Sequence, residues 1–396
     1  MKKSPLQKTA ATAIEPAPTI RKVEPPEPEP DSSHNVRSAA DKKTKRLVSL
    51  DAYRGLIMIS LISVGFGLSA FEGHSIFGFL ATQVEHVQWQ GVVYWDLIQP
   101  AFMFMVGVAM PFAYAKRRSL GHTHNQIFLH AAKRAFMLIV IANVMGSIHR
   151  GEPTIGFINV LNQIAIGYLL AFFVLNKSYR TQAMTAVGIL LFYTVAWMLY
   201  PGNGPGGPWT MDYNNVGADF DRWLLGRTYS GYYVGLNAIP STATILFGVM
   251  CGSLVGSQLP QKRIMKILAI SGVGGILVGL LMSPFVPIIK RIWTASFSFY
   301  SAGFVILGLL LFYWLVEVKG YTRWTFPLVV VGMNSIFAYI IFQMARGSVE
   351  DAVMVFVRPI VEATGPYGVV MHSLLSLLVI WYVLYFFYKR RIFFKV

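Results

Sequence analysis

About ten stretches of mostly apolar residues recur along the chain, each roughly 17–25 residues long, and that run length decides the fold class. A helix of that length crosses about 30 Å of hydrocarbon. Inside such a layer every backbone amide must find its partner within the protein, which leaves helices or closed barrels. Continuous apolar runs, as opposed to ten-residue alternation, select helices. The expected class is therefore all-α, a polytopic membrane protein with about ten transmembrane helices and both termini cytoplasmic. The spans are expected near 48–70, 93–115, 133–149, 156–175, 183–200, 237–257, 264–283, 296–316, 325–345 and 368–388. Composition agrees, because only 13% of the 396 residues are charged and 55% are hydrophobic, against roughly 25% charged in soluble domains.

The net charge of +16 would suit a nucleic-acid partner, but its distribution argues against one. Lys and Arg fall mostly in alternate connections, as the positive-inside rule requires. One side holds only Arg150, Arg222, Arg227, Lys290, Arg291, Arg346 and Arg358; the other 27 of the 34 bases, including both terminal segments, fall on the side assigned to the cytoplasm. Residues 1–46 form a tail rich in Pro, Glu and Lys, including Pro25-Pro26-Glu27-Pro28, and are expected to be disordered. Residues 47–396 form the membrane domain. The first apolar block starts near Leu47 behind Lys42, Lys43, Lys45 and Arg46, so no signal peptide is expected. The single cysteine, Cys251, excludes an internal disulfide and a cysteine metal site.

Ionisable groups at membrane depth are costly and mark candidate sites. Asp51 and Arg54 lie three residues apart at the inner end of the first span, suited to an ion pair or a ligand contact. Glu85 and His86, followed by Trp89 and Asp96, lie at an outer boundary. An imidazole there suits general-base work at neutral pH, with Glu85 or Asp96 to orient it, or else a hydrogen-bonded interfacial role. Asn162, Gln163, Lys290, Trp293, Thr294 and Asn334 sit at helix ends and are otherwise read as helix–helix glue. Lys290-Arg291 departs from the charge partition and is expected to meet an anion. His122, His124 and His130 are expected in a solvated connection. The outer stretch 201–236 carries Trp209, Tyr213, Trp223, Tyr229, Tyr232 and Tyr233, which suit an interfacial belt or a lid over a sugar ring equally well. Gly248, Gly252 and Gly256 share one helix face, for close packing within the chain or in a homodimer.

Several of these segments resemble the heparan-α-glucosaminide N-acetyltransferase family. Arg46-Leu-Val-Ser-Leu-Asp51-x-x-Arg54-Gly55 is similar to its entry motif. His86-x-x-Trp89-x-Gly91-x4-Asp96-Leu97-x-x-Pro100-x-Phe102-x-Phe104-x-x-Gly107 is similar to its catalytic segment. Asn159-Val-Leu, Ile239-Pro240, Lys290-x-x-Trp293-Thr294-x-Ser296-Phe297 and Pro327 through Gly332-Met333-Asn334-Ser335 extend the likeness over about 48–345. The resemblance implies a membrane enzyme that moves acetyl groups from cytosolic acetyl-CoA to a sugar amine on the far side, with the catalytic histidine falling on His86. The chain departs from the family at Gly65, at Asn162-Gln163 and at Tyr232 to Gly235, which points away from heparan and toward an envelope sugar of a bacterial inner membrane.

The leading expectation is thus an acyltransferase using acetyl-CoA and an amino or hydroxyl sugar, without a metal. His86 is base or acyl carrier, Asp96 or Glu85 its orienter, and Trp89, Asn334 or nearby amides donate to the oxyanion. Cationic helix ends such as Lys290 hold CoA phosphates. The competing expectations are a transporter or flippase for a glycan or organic anion, with Asp96 and the Asp51–Arg54 pair in its path, and a membrane scaffold.

Overall fold

The structure, a computed structural model, describes residues 47–394; the tail read as disordered lies outside them. Those residues are all-helical, with no strand among them and one isolated antiparallel bridge between Gln90 and Ile289. Seven helices are long and apolar enough to cross a membrane, or up to nine if each of two bent pairs is one span. Val160–Phe172 is apolar but only 13 residues long, about 20 Å of helix.

In chain order the helices are α1 (Val48–Ser63), α2 (Gly78–Gln83), α3 (Tyr94–Ser119), α4 (His124–Arg150), α5 (Val160–Phe172), α6 (Tyr179–Met198) and α7 (Val216–Leu225). They are followed by α8 (Ala238–Val255), α9 (Gln261–Met282), α10 (Ala295–Phe312), α11 (Phe326–Met333), α12 (Ser335–Met344), α13 (Arg346–Thr364) and α14 (Pro366–Lys389).

Local chemistry explains the departures from the expected spans. The first span bends by 45° after Ser63, where Val64, Gly65, Phe66 and Gly67 all take positive φ. That conformation is strained for a β-branched residue and easy for glycine. Ser373 of α14 donates to the carbonyl of Ser63 at 3.1 Å and so satisfies a group the break exposes. The span expected at 325–345 bends by 68° at Asn334. Helix α4 starts nine residues before the expected boundary because Thr123 and Gln126 form a reciprocal capping box. This puts His124 and His130 on a helix instead of in a connection. The span expected to begin at 156 does not become helical until Val160, where Asn159 caps α5 through Leu161 N–H. Residues 346–364, expected as a connection, form α13, which packs on α14.

The core lies where α3, α5 and α8 meet, with Met103, Phe104, Leu161, Ile164, Ile245 and Leu246 fully buried. The glycine face settles on contacts inside the chain. A Cβ on Gly248 would lie 2.1 Å from the carbonyl oxygen of Phe104, and one on Gly252 2.3 Å from that of Val108, both on α3. Those glycines are spent on the α3–α8 crossing and offer no surface to a second copy.

Helix α3 runs between the two ends of the bundle. It carries the His86-side residues at its N-terminal end and Lys116, Arg117 and Arg118 at the other. Its length of 26 residues separates the two ends by about 39 Å.

Candidate functional site

Asp96 is in the first turn of α3, with its side chain only 2% exposed. Its two oxygens face two different sets of donors. Oδ2 accepts the backbone N–H groups of Val87 and Val93 at 3.3 and 3.4 Å, which ties the helix start to the loop before it. Oδ1 takes His86 Nδ1 at 2.7 Å and Lys290 Nζ at 3.2 Å. Pro100, inside the same helix, has no N–H to give the Asp96 carbonyl.

Lys290 reaches this point from 204 positions further along the chain, its Nζ lying 3.2 Å from His86 Nδ1. The turn between α9 and α10 holds it there. Gly91 N–H donates to the Ile288 carbonyl at 2.9 Å beside the Gln90–Ile289 bridge. Thr294 closes the turn, accepting from Ile289 N–H at 3.1 Å and donating to Pro287 O at 2.8 Å. Trp293, fully buried with φ of 52°, packs edge-on against Phe297 beneath it.

A carboxylate oxygen only accepts, so the short contact to Asp96 puts the imidazole proton on Nδ1. In the neutral ring His86 Nε2 then carries the lone pair, on a side chain that lines a cavity. Asp96, and not the exposed Glu85, is the carboxylate that orients the ring. Burial pushes the Lys290 ammonium down to about 8, with the Asp96 charge opposing the shift. Because the folded value lies below the ordinary lysine value, the unfolded chain binds more protons between pH 8 and 10.5, and stability should rise with pH across that window. The measurement is the difference in thermal midpoint between wild type and Lys290→Met from pH 7.5 to 10.5; it should shift in favour of wild type as pH rises. A pH-independent difference would contradict the buried-ammonium assignment.

The cavity has a volume of about 430 Å³ and is walled by α1, α3, α4, α12 and the segment 154–162. Arg150, Arg227 and Lys290 line it. These three, with Arg291 next to Lys290 in the chain, are four of the seven bases on the base-poor side of the charge partition. Arg227 donates to Thr154 Oγ1 at 2.7 Å and to Ile155 O at 2.8 Å, stiffening the wall. Asn162 lines the cavity and donates to Gly156 O, while its own Oδ1 is buried without a donor. A relay runs behind it from Gln99 to Gln163 at 2.6 Å, then to Asn237 at 2.5 Å and on to Arg291 O at 3.4 Å.

The aromatic loop divides. Tyr229 and Tyr233 line the cavity, whereas Trp223 is 79% exposed. Arg291 lies 5.4 Å over the Tyr233 ring and donates to Gly231 O. Asp221 of α7 anchors the loop by accepting Gly235 N–H at 2.9 Å; burial raises its carboxyl to about 6.

Other candidates are placed elsewhere. Trp89 donates its indole N–H to Trp209 O at 2.8 Å. Asp51 pairs with Arg54 at 2.8 Å, and Arg54 donates to Gly332 O at 2.7 Å, which ties α1 to α11 at the base-rich end. Asn334 binds Ile392 O and Phe394 N–H and so fastens the last described residues to the helix break. Arg150, Arg227, Gln99, Asn143 and Tyr339 line the cavity without having been singled out as site residues. For the two arginines the available signal was their place among the few bases on the base-poor side.

No family model matches the chain, and no curated protein matches it.

Proposed function

We propose that the chain is a membrane-embedded acyltransferase that moves an acetyl or similar acyl group from cytosolic acetyl-CoA to an amino or hydroxyl sugar across the membrane. It would lie in a bacterial inner membrane with ten spans and both termini cytoplasmic. The observation that carries the reading is the Asp96–His86 pair, which in the neutral ring aims the Nε2 lone pair away from the carboxylate, on a side chain at the wall of a cavity large enough for a sugar ring. The sequence resemblance to N-acetyltransferases supports it as well.

In the proposed step the acceptor amine attacks the thioester carbonyl and a C–N bond forms. His86 Nε2 takes the proton released by the amine. The C–S bond then breaks, and the departing CoA sulfur receives that proton from the imidazolium. Asp96 stabilises the imidazolium while it exists. The Lys290 ammonium supplies positive charge beside the developing oxyanion. The cationic wall of Arg150 and Arg227 favours an acceptor or donor that carries negative charge.

The test is binding followed by turnover on purified full-length protein. A ligand taken up only by the folded state stabilises it by about 2.7 kcal/mol at a hundred times its Kd. Acetyl-CoA should raise the thermal midpoint of both wild type and His86→Ala, and only wild type should release free thiol when an amino sugar is added. No midpoint shift at millimolar acetyl-CoA would sink the reading.

A transporter or flippase is the second reading, favoured by the 68° break at Asn334, since broken helices mark many transporter sites. It requires glycan flux in proteoliposomes without consumption of CoA.

A further inference from the structure

A second cavity, of about 350 Å³, lies at the base-rich end between the C-terminal half of α3, the N-terminal half of α4 and the end of α5. It is separate from the His86 cavity, because Arg117 on its wall follows Asp96 by 21 residues of one helix, or about 30 Å. Its polar wall consists of Tyr114, Arg117, His130, Lys133, Arg134 and Tyr168, and no carboxylate lines it. Among the described residues, no ion pair engages Arg117, Lys133 or Arg134.

Arg134 is built into place. Its guanidinium lies 5.2 Å from the centroid of the Tyr168 ring, which fixes the plane. Its Nε is buried from solvent and has no acceptor in the protein. A buried N–H with no acceptor is unfavourable by about 1–3 kcal/mol, and three cations around one cavity repel one another. An anion with several oxygens would relieve both. Phosphate suits this set better than carboxylate. It presents oxygens in several directions, so it can meet the planar fork of one arginine while accepting from another arginine and from the point charge of Lys133. The remaining wall is apolar, with Met110, Ile127 and Phe172 among its residues, and Met137 at the cavity is 39% exposed on the outside of the bundle. That wall gives the organic part of a phosphate ester a surface to pack on.

We infer that this cavity is a binding site for a phosphate ester, held by Arg117, Lys133 and Arg134. The inference stands apart from the acyltransferase reading and would survive its failure. The phosphate has two sources with the same chemistry, an anionic lipid headgroup or a soluble phosphate ester.

The experiment uses the full-length protein in phosphatidylcholine nanodiscs. Thermal midpoints are read with and without one-fifth phosphatidylglycerol in the bilayer (a proportion of about 20%), and separately with and without millimolar inorganic pyrophosphate. At least one probe should raise the wild-type midpoint by roughly 5 °C. The rise should vanish in Arg134→Gln. It should also vanish in Arg117→Gln/Lys133→Gln, which leaves the Tyr168 contact in place should the first variant fold poorly. It should persist in Lys262→Gln/Arg263→Gln, which removes the same amount of charge from the exposed start of α9. A response to phosphatidylglycerol alone assigns a lipid headgroup, and one to pyrophosphate alone a soluble ester. No response in wild type, or a response that the cavity variants keep, overturns the inference.

Discussion

Asp96→Asn should lower turnover by about 10³–10⁴-fold and destabilise the folded protein by about 3 kcal/mol. All four groups that Asp96 engages are donors: His86 Nδ1 and Lys290 Nζ on one oxygen, the Val87 and Val93 amides on the other. An asparagine has one oxygen and one NH₂, so it must turn a donor toward one of these sets. If the NH₂ faces the helix start, the Val87 and Val93 amides lose their acceptor. If it faces His86, Nδ1 must accept, the imidazole proton moves to Nε2, and the base is lost from the cavity wall. In both arrangements the Lys290 ammonium stays buried without a counter-charge. Wild-type turnover in the folded variant would contradict the role given to the pair. Steady-state kinetics and a thermal melt on the same preparation check both halves.

Gly248→Leu should prevent the chain from folding into a monodisperse species. The first added carbon would already lie 2.1 Å from the Phe104 carbonyl oxygen, well inside contact distance, and backbone cannot give way as a side-chain end can. Overpacking on this scale costs about 3 kcal/mol or more. Gly274→Ala is the contrast, since nothing lies within 4 Å of the added carbon on α9. That change should be neutral or stabilise by up to about 1 kcal/mol through helix propensity. Size-exclusion profiles and midpoints of the two variants in one detergent test the crossing. Equal behaviour would mean that α3 and α8 do not pack as described.

What could be read in the sequence followed from distance along the chain. The apolar runs mark the spans because each must satisfy its own backbone, and His86 and Asp96 are only ten positions apart. Lys290 joins them from 204 positions away through a turn held by Gly91 and Thr294, and no local pattern announces such a contact. Its departure from the charge partition announced an anion, read as a CoA phosphate, and the anion it meets within the protein is Asp96. Arg150 and Arg227, also among the few bases on the base-poor side, line the same cavity. The bends at Val64 and Asn334 were hidden because glycines and a polar residue inside apolar runs are also common in straight spans. Helix α13 was hidden because Glu350, Asp351, Arg358 and Glu362 lower its hydropathy, while helix formation needs only the packing partner that α14 provides. Asp51, Arg54 and Asn334 make contacts within the protein that a sequence cannot separate from ligand binding.

The most direct test of the central claim is acetyl transfer in proteoliposomes, with labelled acetyl-CoA on one side and a panel of amino sugars on the other. Wild-type protein should label an amino sugar across the bilayer, and His86→Ala, folded and still stabilised by acetyl-CoA, should fall by about 10²–10⁴-fold. Labelling by His86→Ala at the wild-type rate would contradict the assignment of His86 as the base.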